Sequence, residues 1–245
     1  MLRTLTCEAL VLKTASSGES NREAWFLCAD HGILRATVFG GPKSRLRAHV
    51  SPFHSGTLWV YRDPVRNSHK VNDFDVRSWR PGLRELYERA MTADAIVDTI
   101  LGSHGGGGAW ETALSLAGSS LDALAEAGEG AADRIFTHFL WNWAAFLGLR
   151  PDLGEPDRPC EASPDGLLWF DRLEGDFTWS VPAGPGNRFL PLGPGARRWL
   201  LAVQEHTPGR ILRITADPLS LTQARLVATA LMTEILGREL PTWNF

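Results

Sequence analysis

The chain has 245 residues, 44% of them hydrophobic and 22% charged, which supplies apolar mass for one to three small cores and excludes disorder as the main state. No stretch approaches the roughly 18 uninterrupted apolar residues of a membrane span, and the opening MLRTLTCEALVLKT has no apolar block or cleavage site of a secretory signal, so a cytoplasmic protein is expected. The net charge of -3 divides unevenly: residues 1–80 hold 12 Lys and Arg against 7 Asp and Glu, the remainder 13 against 21, so a basic N-terminal part precedes an acidic one and a polyanion is the natural partner of the first.

Residues 5–80 read as β. The segments 9–12, 24–28, 33–39, 56–61 and 70–76 are short, rich in Val, Leu, Phe and Trp, and separated by turn signals such as Ser17-Gly18, Asp30-His31-Gly32 and Arg62-Asp63-Pro64. Five short strands in about 80 residues predict a small barrel, of the oligonucleotide-binding (OB) or the SH3-like kind, which periodicity cannot separate. Asp30-His31-Gly32 reads as a hairpin turn with Gly32 at positive φ, not as a catalytic histidine. From Gly82 the period becomes helical through Leu83, Leu86, Tyr87, Ala90, Ile96 and Ile100, with Pro81 at the start. A second helix is expected over about 110–127 and a third over 131–147; apolar residues around most of its circumference make the third central. Gly105 to Gly108 lack the strand and Lys-Ser/Thr of a phosphate loop and read as a connector. Residues 148–192 are Pro-rich, and 167–179 predict an inserted β-hairpin. Helical spacing returns at 195–205 and 219–236, which are expected to rejoin the first three helices in one bundle.

Enzyme signatures are missing at the level of spacing. The seven histidines, His31, His49, His54, His69, His104, His138 and His206, form no HxxxH or HExxH, and there is no Gly-x-Ser-x-Gly elbow or strand-following Gly-x-Gly-x-x-Gly. The three cysteines, Cys7, Cys28 and Cys160, form no CxxC and no disulfide framework. The informative segment is Gly40-Gly41-Pro42-Lys43-Ser44-Arg45-Leu46-Arg47, three cations within five residues on a Gly/Pro-bounded loop between predicted strands, where backbone amides and cationic tips can track one phosphate chain. Around it Trp25, Phe39, Phe53, Trp59, Tyr61 and Phe74 offer aromatic faces, most of them needed for the core. Phe39 shares a strand face with Arg35 and Thr37 by alternation and is the expected stacker. The expected nucleic-acid interface is therefore Lys13, Arg22, Arg35, Phe39, Lys43, Arg45, Arg47, Arg62, Arg66 and Lys70.

Several runs carry a family likeness. Ala9-Leu10-Val11-Leu12-Lys13-Thr14, Gly18-Glu19-Ser20-Asn21-Arg22, Asp30-His31-Gly32-Ile33-Leu34-Arg35-Ala36, the 40–47 loop and Pro52-Phe53 together resemble the N-terminal region of the bacterial recombination mediator family RecO. The likeness is dense through about residue 80. It continues with weaker motifs in Leu83-Arg84-Glu85-Leu86, in the run from Phe146 to Leu153 and in Leu236-Gly237-Arg238-Glu239-Leu240. The resemblance implies an α+β protein: a five-stranded OB-type barrel over 1–80, then a helical bundle domain over 81–245 carrying the inserted hairpin segment at about 151–192. It implies binding of single- and double-stranded DNA, strand annealing, and help in loading the RecA recombinase onto strands coated with single-strand binding protein. RecR is a further implied partner, the nucleoid the implied place of work, and no reaction, cofactor or membrane is involved.

One departure stands out. Many family members carry a four-cysteine zinc module after the Leu-Gly-x-x-Pro-Asp-Leu segment, and here only Cys160 remains, so the zinc is expected to be lost and the 167–179 hairpin to replace it. The resemblance also implies that the acidic, apolar-ended tail of single-strand binding protein is held by the helical part, at a site pairing cations with an apolar slot; Arg197, Arg198, Arg210 and Arg213 are the candidates. Two rivals remain on the sequence: an RNA-binding barrel protein, and a nuclease or hydrolase whose site is assembled from distant segments.

Overall fold

The computed structural model describes residues 4–18, 20–41, 43–103, 108–154, 166–180 and 186–243. Glu19, Pro42, most of the glycine tract with His104, and Cys160 lie outside them.

Period-two alternation in the first third becomes a closed barrel. Its strands are β1 (Thr4–Ser17), β2 (Asn21–Cys28), β3 (Gly32–Val38), β4 (Ser55–Asp63) and β5 (Ser68–Ser78), with a five-residue helix α1 (Arg45–His49) between β3 and β4. The order around the barrel is β1-β2-β3-β5-β4, with β1 closing against β4. The pairs are antiparallel except β3 with β5, which meet in parallel where Thr37 faces Lys70. This is the five-stranded architecture expected of an OB-type domain. Inside lie Ala9, Val11, Phe26, Leu34, Val38, Leu58, Val60, Val71 and Phe74, all buried. Two positions demand glycine. Gly32, at φ 66, ends the β2–β3 turn, and a Cβ there would lie 2.6 Å from the Trp110 indole. At Gly56 a Cβ would stand 1.9 Å from the Asp75 carbonyl oxygen across the β4–β5 pair.

A 3₁₀ turn (Pro81–Arg84) leads to helices α2 (Tyr87–Gly102), α3 (Trp110–Glu126) and α4 (Ala132–Phe146). A three-stranded antiparallel sheet follows, with β6 (Leu168–Asp171) between β7 (Asp176–Thr178) and β8 (Phe189–Leu192), and then α5 (Pro194–Glu205), α6 (Pro208–Ile211) and α7 (Pro218–Leu236). The expected hairpin is thus present and has gained a third strand. Helix α4 is central as its composition predicts: Ile135, Phe136, Phe139, Leu140, Trp141 and Trp143 are buried, and it packs against α2, α5, α6 and α7.

The chain forms two compact units, and neither is continuous in sequence. The first comprises residues 1–85 and 107–125, the second 86–106 and 126–245. Helix α3, expected in the bundle, therefore groups with the barrel. The reason is polar as well as steric: besides Trp110 against Gly32, Asp122 of α3 accepts from Arg80 Nε at 2.7 Å. Among the described residues no helix is long and apolar enough to cross a membrane, and no group of three or more His, Cys, Asp or Glu is placed to hold a metal. Cys7 and Cys28 are sunk in the barrel core, where their mutual hydrogen bond and burial hold the Cys28 thiol protonated. With only three cysteines in the chain, these residues do not fit a four-cysteine zinc site.

Candidate nucleic-acid interface

The barrel's outer face divides by charge. On β1, counting by two from the inward Val11 would send Lys13 into the core. The register instead shifts between Val11 and Lys13, so Leu12 is an extra bulged residue and Lys13 stands exposed opposite Trp25. Trp25 in turn pairs with Arg35 on β3. Lys13, Trp25 and Arg35 therefore form one outward row across three strands, a cation on each side of an indole. The Arg35 guanidinium lies over the indole, 5.3 Å from its centroid, and is ion-paired with Glu23.

The next row runs Ala15, Glu23, Thr37 and Lys70, crossing the parallel closure. The Lys70 ammonium sits 5.0 Å from the Phe39 ring centroid, and Phe39 is exposed just beyond β3, on the face that alternation assigns it. Arg62 pairs with His69 on β5, and Arg66 lies in the β4–β5 turn, where Asp63 Oδ1 accepts from the backbone N–H groups of Val65 and Arg66 at 2.9 and 3.2 Å. The connectivity thus collects Phe39, Arg62, Arg66 and Lys70 at one rim. A groove of about 480 Å³ opens beside it, lined by Glu23, Arg35, Thr37, Asn67, Ser68 and His69 among others.

The other aromatic candidates sit elsewhere. Phe74 is in the core. Trp59 is half-buried on the outer side of β4, but its cross-strand neighbours are Thr6 and Asp73, and the adjacent row is Glu8, Thr57 and Asp75. Arg77 is turned into that acidic area, donating to Glu8 at 2.6 Å and to Thr57 at 2.5 Å. Such a surface repels phosphate, so the β1-β2-β3 face is the one suited to a polyanion.

The 40–47 segment differs from a single tracking loop. Lys43 is exposed on the loop, but Arg45 and Arg47 belong to α1, where two positions apart means about 200° around the axis. The two guanidinium groups therefore diverge; Arg45 Nε donates to His49 Nε2 at 3.3 Å. Arg22, paired with Val38, has inward parity at a strand end and does not share the face of Lys13 and Arg35. Trp25 was no more prominent in the sequence than five other aromatics. Its placement depends on the bulge at Leu12, for which the sequence offers no marker.

In the helical unit the four candidate arginines separate. Arg197 is buried, donates from Nε to the Leu153 carbonyl at 2.8 Å and stacks 5.0 Å from the Trp179 ring centroid, a structural placement. Arg198, Arg210 and Arg213 are exposed. Nearby is a pocket of about 330 Å³ lined by Arg134, Arg225, Trp199, Leu221 and Leu226 among others. Arg134 donates to the carbonyls of Ile211, Leu212 and Ile214 at 2.6 to 3.2 Å, tying the turn that carries Arg213 to this pocket. Arg225 lies over Phe136, 4.6 Å from the centroid, and 3.6 Å from Asp133. Arg134 Nε and Trp199 Nε1 are buried donors with no acceptor among the described residues. This cation-plus-apolar arrangement escaped sequence reading because Arg134, Trp199 and Arg225 come from three helical segments.

No curated protein matches the chain. Residues 1–78 match the family model described as the recombination protein O N-terminal domain, and that span ends with the last residue of β5. Barrel, cationic face and family match coincide over the same residues, so it is through this OB-type domain, the first third of the chain, that the protein is similar to the recombination protein O family.

Proposed function

We propose that the protein is a non-enzymatic recombination mediator that binds single- and double-stranded DNA, anneals complementary strands, and helps RecA load onto strands coated with single-strand binding protein, with RecR as a partner. The observation that carries this reading is the Lys13–Trp25–Arg35 row beside the Phe39–Lys70 pair, on the outer face of a recombination protein O barrel. Cations on that face neutralise phosphates of two strands at once and lower their mutual repulsion, while unpaired bases stay free to find complements. No nucleotide hydrolysis is required. Lys43, Arg62 and Arg66 extend the charge beyond the row, and Arg45, Arg47 and Arg22 are secondary contacts.

The tail of single-strand binding protein fits the pocket around Arg134 and Trp199. An acidic tail meets Arg198, Arg210 and Arg213 outside the pocket and Arg225 and Arg134 in its lining, and its apolar end lies on Leu221 and Leu226. The deciding experiment is annealing of complementary oligonucleotides coated with single-strand binding protein. Acceleration over the protein-free rate is expected, together with its loss when Lys13 and Lys70 are both changed to Glu. A rate unaffected by the protein overturns the mediator reading. For the tail, a fluorescent peptide titration is expected to weaken on Leu226→Asp and on Arg198→Glu, both surface changes that leave the buried Arg197 contact in place.

A further inference from the structure

We propose that Trp25 is a base-stacking platform which, in the DNA-free protein, is capped by Arg35, and that Glu23 holds the cap. The inference rests on the DNA-binding reading of the barrel and adds a residue pair that regulates it. Three observations lead to it. Trp25 is half-buried on the outward side of β2 with a cation in register on either strand beside it, Lys13 and Arg35, so a base on the indole would have its flanking phosphates within reach of two positive charges. The Arg35 guanidinium, 5.3 Å from the indole centroid, occupies the place such a base would take. Glu23, two residues before Trp25 and therefore on the same face, is ion-paired with Arg35 and is the only carboxylate in β2 and β3.

Glu23 thus stands where a phosphate would stand, and Arg35 where a base would stand. Binding exchanges both: a phosphate replaces the Glu23 carboxylate as the partner of Arg35, the guanidinium swings off the ring, and a base moves onto it. No bond is made or broken. The exchange makes the wild-type protein weaker for single strands than its cation count suggests. It also favours strands with unstacked bases, because a duplex offers phosphates to Arg35 but no base to Trp25.

The test uses the full chain, fluorescence anisotropy, a fluorescein-labelled dT oligonucleotide of about 20 residues and the same oligonucleotide with abasic sites throughout. Trp25→Leu keeps the apolar bulk and is expected to weaken dT binding about tenfold while leaving abasic binding within twofold, since only the former loses a stack. Glu23→Gln is expected to tighten dT binding several-fold and to steepen the logarithmic salt slope by about 0.7, one more uncompensated cation on the face. If Trp25→Leu weakens both oligonucleotides equally, or neither, and Glu23→Gln does not tighten binding, the platform is overturned; should Lys13→Glu with Lys70→Glu still abolish binding, the DNA-binding reading survives that loss. If the double charge reversal also leaves affinity unchanged, both fall together.

Discussion

Arg80 adopts a left-handed backbone conformation, φ 47, that costs a non-glycine residue of order 1 kcal/mol. What holds it there is its guanidinium, buried and donating to the Phe53 carbonyl at 2.6 Å, Ser55 Oγ at 2.9 Å and Asp122 Oδ1 at 2.7 Å. Phe53 shares the strain, at φ 73, and is fixed by its N–H donating to the Val11 carbonyl at 2.8 Å. Arg80→Met is expected to destabilise by about 3 kcal/mol, because the acceptors it leaves are partly dehydrated; urea unfolding followed by tryptophan fluorescence measures it. His138 makes a second single-residue case. Burial pushes it down to about 4, and its Nε2 donates to the His206 carbonyl at 2.8 Å. The unfolded chain takes up that proton near pH 6.5 and the fold refuses it until about pH 4, so stability is full above pH 6.5 and falls as pH drops through this window. Between pH 7 and pH 5 the loss from this residue is about 2 kcal/mol. His54, lowered by its own burial, acts in the same direction. His138→Gln is expected to flatten the stability–pH profile; an unchanged profile would mean that the group is not desolvated in solution.

Between elements, what decides the interface is register. Alternation in the sequence located all five barrel strands, because a half-buried strand must place every second side chain inside. It did not locate the extra residue at Leu12, since a bulge is set by the competing pairings of β1 with β2 and β4, which lie far apart in sequence. Helix α1 is not legible in the sequence for a related reason: five residues are too few to show a helical period, and no residue of α1 is fully buried. Conversely the long helices were plain, and the importance of the 131–147 region was visible from aromatics on every side. The proposed DNA interface is legible in its cations but not in their grouping. Since Arg45 and Arg47 point apart, Arg45→Glu and Arg47→Glu are expected to act unequally, whereas Lys13→Glu and Lys70→Glu each lower the salt slope for single strands by about 0.7. Salt titrations of the four single variants decide this, and equal effects of the two α1 changes would mean that the helix unwinds on binding.

For the molecule as a whole, the tie between α3 and the barrel matters most. Asp122→Ala removes the one carboxylate from the Arg80 cluster while sparing every strand, and a loss of about 1–2 kcal/mol is expected in the barrel unit, seen as a lower thermal midpoint with DNA affinity at saturating fold unchanged. The grouping of α3 with the barrel was invisible in sequence, because an apolar stripe states that a helix is covered and not by what. Its consequence reaches beyond stability to how this chain can be recombined with its relatives. The family match stops at residue 78, so an exchange of barrels made at that boundary, as in building chimaeras, would carry a new β1–β5 onto a resident Trp110 and Asp122. The transplanted Gly32 turn would then meet a helix selected for another barrel, and the resident Arg80, still paired with Asp122, would have to find new acceptors in place of the Phe53 carbonyl and Ser55 Oγ. A working exchange needs two insertions, residues 1–85 and residues 107–125, with the 86–106 segment left in place. Inheritance of the barrel as a module is therefore split in sequence, and α3 travels with it only if the crossover respects the fold.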